Sequence, residues 1–287
     1  MRAFQYVRFE AYSEIGQTYP MSIRHYNSRR NRRSGISHRA QVFLQTILGI
    51  TILLQISYPL INGETLRVVT IATVYFSALT MVLHAFYSFG PQYVSIYLPV
   101  TFLFGFAIEQ VGMRTTWPFG SYTYDSSLGF QIFGLPLVVP FAWVMMSHPV
   151  LVVARRISKN WVFLFGGIAM MGWDLFLDPQ MVADHRWVWS FTGAHVPFAK
   201  NIPLSNAFGW LFAGIAITAL LHVILPRDRR KSSAGFAVVD IFMLWTLFAG
   251  VIGNLFFFSR PGVGFLGGLV LGAIMAPYAF SRWLGRP

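Results

Sequence analysis

Long uninterrupted runs of apolar residues fill most of the chain, and short polar or glycine- and proline-rich stretches separate them. Several runs approach the roughly 20 residues that an α-helix needs to cross the hydrocarbon core of a bilayer. Breaks such as Gly90-Pro91 and Arg260-Pro261-Gly262 are typical of helix ends. We therefore expect an all-α fold, a polytopic transmembrane helical bundle. Eight spans are predicted, at about residues 40–60, 67–89, 92–111, 132–154, 161–178, 204–225, 235–258 and 262–280.

The composition agrees with this class, since 55% of the 287 residues are hydrophobic and only 11% are charged. Residues 39–287 are expected to form a single transmembrane domain, preceded at 1–38 by a basic cytoplasmic tail that is expected to be mobile. The formal charge of +12 does not indicate a nucleic-acid partner, because the basic residues cluster between apolar runs and suit membrane lipids. The chain has no cysteine, which excludes disulfides, thiolate metal sites and cysteine nucleophiles.

Lysine and arginine are distributed unevenly between the two ends of the predicted spans. If the N terminus is cytoplasmic, 17 of the 22 basic residues lie on the cytoplasmic side and 5 on the other. Because cytoplasmic loops carry the excess of basic residues, this predicts a multi-pass cell-membrane protein with both termini in the cytoplasm. The same topology places Glu109, Asp174 and Asp178 on the outer side, with the two longest internal loops at 112–131 and 179–203.

Two carboxylates stand four residues apart near the end of the fifth predicted span. Asp174 and Asp178 share one face of a helix at this spacing, and Pro179 is expected to end the helix directly after them. Ionisable groups inside a membrane segment are costly and usually functional. The alternative is that both residues merely mark the water interface.

A third carboxylate, Glu109, follows the apolar run 100–108 and has the same cost of about 2.5 kcal/mol or more unless it is paired, protonated or hydrated. A structural ion pair with Arg114 is the alternative interpretation. Asn206, at the start of the sixth span, suits either the site or a helix N-cap. His185 and His195 lack the spacing of metal ligands, so no metal site is expected.

Other chemistries lack their motifs, since the sequence contains no phosphate-binding loop, dinucleotide fingerprint or nucleophile elbow. What remains is carboxylic acids among many aromatic rings. A carboxyl group in apolar surroundings stays protonated, and aromatic faces stabilise cations. Together they suit acid chemistry on an alkene. The side chains expected to bind the substrate are Tyr122, Tyr124, Trp143, Trp173, Trp187, Trp189, Asn206 and Trp210.

These residues fall within a pattern of spaced motifs that covers about residues 40–280. Its pieces are Glu109-x-x-Gly112, Gly120-x-Tyr122-x-Tyr124, Gly134-x-Pro136-x-x-x-Pro140-x-x-Trp143-x-x-Met146, Trp173-Asp174-x-x-x-Asp178-Pro179 with Met181, Trp187-x-Trp189, and Pro203-Leu204-Ser205-Asn206 with Gly209-Trp210. In this order and spacing the chain resembles the integral-membrane carotenoid biosynthesis proteins that include the bisanhydrobacterioruberin hydratases and the carotenoid end-group hydratases of bacteria.

The resemblance implies a hydratase that uses no cofactor. Its substrates would be water and an acyclic carotenoid, either lycopene-like or with fifty carbons, whose terminal isoprene double bond becomes a tertiary alcohol. The resemblance implies that Glu109, Asp174 and Asp178 are the catalytic carboxylates. It does not indicate which of them delivers the proton. Association with other carotenoid-pathway enzymes stays open.

Two other functions remain open at the level of sequence. The spacing of Asp174 and Asp178 also suits Mg²⁺ and a prenyl diphosphate in a membrane prenyltransferase, although no second Asp-rich motif is present. A carrier or transporter with a carboxylate proton relay is the other alternative, and the lack of an internal repeat counts against it.

Overall fold

The computed structural model describes residues 37–227 and 237–284. Within these ranges, eight helices are long and apolar enough to cross a membrane, which confirms the predicted helical membrane fold. The helices are α1 (His38–Ser57), α2 (Gly63–Phe89), α3 (Pro91–Thr115), α4 (Val138–Ile157), α5 (Val162–Ala183), α6 (Leu204–Ile224), α7 (Ala237–Ile252) and α8 (Pro261–Trp283). A 3₁₀ turn, Tyr58–Leu60, extends α1, and a wider π-turn, Gly253–Phe257, extends α7. Two groups of basic residues lie outside the described ranges. One is at 28–33, in the predicted basic tail, and the other is at 229–231.

Helices α4 and α5 form the centre of the bundle. Buried residues make up 83% of the most apolar part of α4 and 67% of that of α5, against 22% for α1 and α3. Helix α5 also approaches α6 very closely, because a Cβ atom on Gly167 would lie 2.8 Å from the carbonyl oxygen of Leu211. Small residues permit such approach between membrane helices. The central position of α5 holds Asp174 and Asp178 inside the protein.

Six short strands lie in the loops at the carboxyl ends of α3 and α5. They are β1 (Tyr122–Tyr124), β2 (Gln131–Ile132), β3 (Leu135–Pro136), β4 (Trp187–Trp189), β5 (His195–Val196) and β6 (Ala199–Pro203). They pair antiparallel as β1 with β4, β2 with β3, and β5 with β6. The first pair joins the two long loops, since Tyr122 lies opposite Trp189 and Tyr124 opposite Trp187.

The predicted start of the fourth span at residue 132 is wrong, because residues 131–136 form the β2–β3 hairpin and α4 begins at Val138. The turn of this hairpin uses Phe133 and Gly134 with positive φ angles of 53° and 82°. A helix has no place for such angles, and glycine adopts them readily. The apolar character of this segment therefore reflects a packed loop.

The predicted helix end at Pro179 is also wrong, because α5 continues for another turn to Ala183. Proline lacks only its own N–H and its φ angle is compatible with a helix, so near a helix end it removes a single backbone hydrogen bond. The carbonyl oxygen of Pro179 accepts a hydrogen bond of 2.7 Å from Arg260, before α8. Likewise, α3 continues past the predicted end at 111 to Thr115, so Glu109 lies within a helix.

Polar residues at the other end of the bundle form separate contacts. Asp240 of α7 pairs with Arg282 at 2.8 Å and accepts a hydrogen bond from Tyr278, both on α8. His84 and His148 contact each other at 2.9 Å through ring nitrogens. Both histidines therefore have polar partners inside the bundle.

Candidate active site

Glu109 is 3% exposed and is surrounded by hydrogen-bond donors. Its Oε2 atom accepts hydrogen bonds from the hydroxyls of Tyr122 at 2.6 Å and Tyr124 at 2.9 Å. Its Oε1 atom accepts one from the indole N–H of Trp143 on α4, at 3.2 Å. Hydrogen bonds from several donors favour the ionised form of a carboxyl group, whereas burial favours the protonated form. The three donors therefore offset part of the cost of a carboxylate at Glu109.

The two-stranded sheet β1–β4 positions the tyrosines. Side chains alternate between the two faces of a strand, so Tyr122 and Tyr124 point inward while Thr123 between them is exposed. On the partner strand Trp187 and Trp189 face the same side. Burial first, and then the nearby Glu109, raises the pKa of both tyrosine hydroxyls, which therefore stay protonated and act as donors.

Asp174 and Asp178 form a second carboxyl site on α5, and both are buried. Asn206 of α6 donates its side-chain N–H groups to Oδ2 of Asp174 at 3.1 Å and to Oδ2 of Asp178. Asp174 and Asp178 are also close enough to interact electrostatically. Two neighbouring carboxylates repel each other, so a retained proton on one of them is favoured. This arrangement therefore suits a pair that shares one proton.

Three tryptophans form an aromatic wall beside the carboxyl groups. The rings of Trp143 and Trp210 are stacked with centroids 4.5 Å apart and planes at 10°. Trp173 meets Trp210 edge to face at 5.6 Å. Trp143 also bonds to Glu109, so this wall continues directly into the carboxylate site. Aromatic faces in this arrangement attract a positive charge.

These groups surround one cavity of about 360 Å³. All eight residues expected to bind the substrate line it, as do Glu109 and Asp178. Asp174 is not part of the lining and contacts the cavity through Asp178 and Asn206. Glu109 is close enough to Asp178 to interact with it electrostatically. The structure thus brings the predicted residues together, and their catalytic and binding roles stay predictions.

The alternative structural interpretations of these residues do not fit the observed contacts. Arg114 is exposed, whereas the partners of Glu109 are two hydroxyls and an indole. Asn206 lies inside α6, whose N-cap is Pro203, so it does not cap the helix. Asp174 and Asp178 are 1% and 3% exposed, so they do not mark a water interface.

The part of the cavity formed by α1, α2 and α7 was not predicted from the sequence. Gln55 of α1 accepts a hydrogen bond of 2.6 Å from the indole N–H of Trp245 on α7, and both residues line the cavity. Thr70 and Thr73 of α2 line it as well, and the hydroxyl of Thr73 is buried without a partner. The one available signal was Gln55, an uncharged polar residue within an apolar run.

Comparisons with known proteins show the family of the chain. A family model described as "Carotenoid biosynthesis protein" matches residues 69–275. The chain is 31% identical over 166 residues to the bisanhydrobacterioruberin hydratase of Haloarcula japonica. That alignment covers 54% of this chain and 54% of the relative, so the chain spans about half the length of the curated protein it matches. No solved structure matches the chain significantly. The match at residues 69–275 covers most of the 287-residue chain, from α2 to α8. The chain therefore belongs to the carotenoid biosynthesis protein family.

Proposed function

We propose that the protein adds water across the terminal isoprene double bond of an acyclic carotenoid and yields a tertiary alcohol. The observation that carries the proposal is that Glu109 and Asp178 face one cavity whose other walls are largely aromatic. The relative from Haloarcula japonica, which is named a hydratase, supports the same reaction class. Acid, base and water suffice for this reaction, so the proposed mechanism uses no cofactor.

The aspartate pair is the proposed acid. Asp178 faces the cavity, and the side-chain amide of Asn206 joins it to Asp174 behind it, so the two neighbouring carboxyl groups share one proton in the proposed mechanism. Asp178 gives this proton to the CH carbon of the terminal double bond, and the electron pair of the double bond forms the new C–H bond. A tertiary cation remains on the carbon that carries the two methyl groups. Trp143, Trp173 and Trp210 are placed to stabilise this cation through their ring faces.

Glu109 is the proposed base. Its three donors stabilise the carboxylate form, which attracts the cation and accepts a proton from the attacking water. Oxygen bonds to the tertiary carbon as that proton leaves. Transfer of the proton back to the aspartate pair restores the starting state, so each turnover consumes one alkene and one water. The neighbours of the two carboxyl sites differ, and such differences commonly make one carboxyl group an acid and another a base.

Expression of the chain in a lycopene-producing bacterium tests the proposal. Pigment masses should rise by one water for each end that reacts. The Asp178→Asn and Asp174→Asn variants keep the shape of the site but lose the shared proton, and positioned proton transfer typically contributes about 10²- to 10⁴-fold. Hydration should therefore fall by at least about 100-fold in both.

Asp240→Asn is the matched control for these variants. Asp240 lies at the other end of the bundle, and an asparagine keeps an oxygen that accepts from Tyr278, so hydration should stay near that of the natural chain. Pigment of unchanged mass would contradict the proposal, and a gain of an isoprene unit would indicate prenyl transfer instead.

A further inference from the structure

The cavity extends away from the carboxyl groups toward the side of the bundle. Beyond the aromatic wall its lining passes to Thr70 and Thr73 of α2 and then to α1 and α7. Three lining residues here are also exposed, Ile56 of α1 at 44%, Phe248 of α7 at 55% and Phe257 of the π-turn that extends α7 at 54%. All three belong to spans that are long and apolar enough to cross a membrane. Surface at this position faces lipid chains, so the cavity approaches the bilayer between α1 and α7.

The route beneath the β1–β4 sheet is closed by aromatic packing. Tyr122 is 7% exposed and Phe119 is 2% exposed, and both line the cavity beneath the β1–β4 sheet. The indole N–H of Trp189 donates to the carbonyl oxygen of Phe119 at 3.2 Å and fixes the sheet to this loop. A long apolar molecule therefore meets its least obstructed path at the side of the bundle.

A single polar contact joins α1 and α7 at this lateral opening. Gln55 accepts the hydrogen bond of Trp245 there, and both side chains are only partly buried. Hydrogen bonds between membrane helices contribute modestly to their association, because each partner finds other partners when they separate. Next to it, α7 ends in the π-turn Gly253–Phe257, and such turns frequently accompany functional sites. The opening thus contains a polar contact that contributes only modestly to the association of α1 and α7.

We infer that the opening between α1 and α7 is a lateral portal, through which a linear isoprenoid chain enters from the bilayer and in which its polyene remains during reaction. This inference rests on the proposed function for the identity of the chain. The end group lies against the carboxyl groups and the aromatic wall, while the rest of the molecule passes Ile56 and Phe248 into lipid. The site therefore selects long open-chain isoprenoids dissolved in the membrane over short water-soluble alkenes.

Thiol labelling tests the portal, because the natural chain has no cysteine and an introduced one is unique. Ile56→Cys places a thiol in the portal, and Leu53→Cys places one on the outer face of the same helix, away from the cavity, at a residue that is 65% exposed. Benzyl methanethiosulfonate adds a bulky group to either thiol, dithiothreitol removes it, and intact mass measures the extent of labelling. Reversal distinguishes a blocked portal from a misfolded protein.

Binding and turnover are read separately in purified protein. An acyclic carotenoid in the cavity should quench the fluorescence of the surrounding tryptophans, and pigment mass reports hydration. Labelling of Ile56→Cys should reduce both carotenoid binding and hydration by at least about 10-fold, and dithiothreitol should restore both. Labelling of Leu53→Cys should leave binding and hydration within about twofold of the values for the unlabelled variant.

Equal quenching and hydration by the two fully labelled variants would overturn the portal. The natural chain could show quenching without hydration, and the quenching could be lost when Ile56→Cys is labelled. That result would support the portal and contradict only the proposed function. Absence of quenching in the natural chain would contradict both.

Discussion

The two carboxyl sites in the cavity differ in the atoms that surround them. Glu109 receives hydrogen bonds from two hydroxyls and an indole, and each of these groups acts there as a donor. Asp178 instead contacts a second carboxyl group, whose Oδ1 atom is buried and accepts no hydrogen bond. Donors favour an ionised carboxyl, and a neighbouring carboxyl favours a retained proton. Their different roles in the proposed mechanism therefore follow from their neighbours.

Removal of one hydrogen-bond donor to Glu109 should lower the rate of hydration while the other contacts of the site remain. Tyr124→Phe keeps the ring and removes the 2.9 Å hydrogen bond to Oε2. Hydrogen bonds to charged groups contribute about 1.5–3 kcal/mol, so hydration should slow by about 10- to 150-fold. Thr123→Val on the outward face of the same strand is the control and should leave the rate unchanged. Equal rates for the two variants would show that Glu109 does not depend on this donor.

The spacing of Asp174 and Asp178 was enough to predict a shared helix face and a common site. It was not enough to predict their different positions, with Asp178 in the lining and Asp174 behind it. That difference depends on Asn206, which lies 32 residues beyond Asp174 in the chain. The tyrosine partners of Glu109 escaped prediction for the same reason, since a loop of aromatic residues gives no sign of which ring reaches which carboxylate.

At the scale of elements, α5 is held between α6 and α8 by close backbone approach. A Cβ atom on Gly172 of α5 would lie 2.9 Å from the backbone nitrogen of Leu271 on α8, closer than real Cβ contacts. The next residues of α5 are Trp173 and Asp174, so the packing at Gly172 sets the depth of the aspartate pair.

Gly172→Ala should therefore destabilise the bundle. Overpacking of this kind costs about 1–3 kcal/mol, which should lower the thermal unfolding temperature measured in detergent. Gly272→Ala on α8 is the matched control, because its Cβ atom would meet nothing within 4 Å and alanine favours a helix. Unfolding temperatures that are equal, or lower for Gly272→Ala, would contradict the packing argument.

Hydrophobic periodicity predicted all eight helices because each has to bury its backbone polar groups across the membrane. It failed at 132–137, where apolar residues form a hairpin, and it gave no sign of the β1–β4 pairing. Those two strands lie far apart in the chain, so no local pattern indicates that they pair. A pattern of hydrophobicity cannot separate a helix from a packed aromatic loop.

For the whole molecule, the uneven distribution of basic residues predicts a cytoplasmic location for both termini. Reporter fusions after Gly193 and after Arg230 test this orientation, because one α-helix, α6, separates the two positions. The fusion after Gly193 should report the outer side and the fusion after Arg230 the cytoplasm. Identical reports from both fusions would contradict the crossing by α6, and reversed reports would contradict the orientation.

In the proposed mechanism, a carboxyl group protonates a carbon of the terminal double bond inside this cavity. Turnover of an acyclic carotenoid by the purified protein in deuterated water tests this step, with product analysis by mass spectrometry and NMR. We expect one carbon-bound deuterium for each hydrated end, on the carbon next to the new alcohol carbon, and loss of this product in the Asp178→Asn variant. An alcohol without carbon-bound deuterium would show that alkene protonation is wrong, and full activity of Asp178→Asn would show that this carboxyl is not the acid.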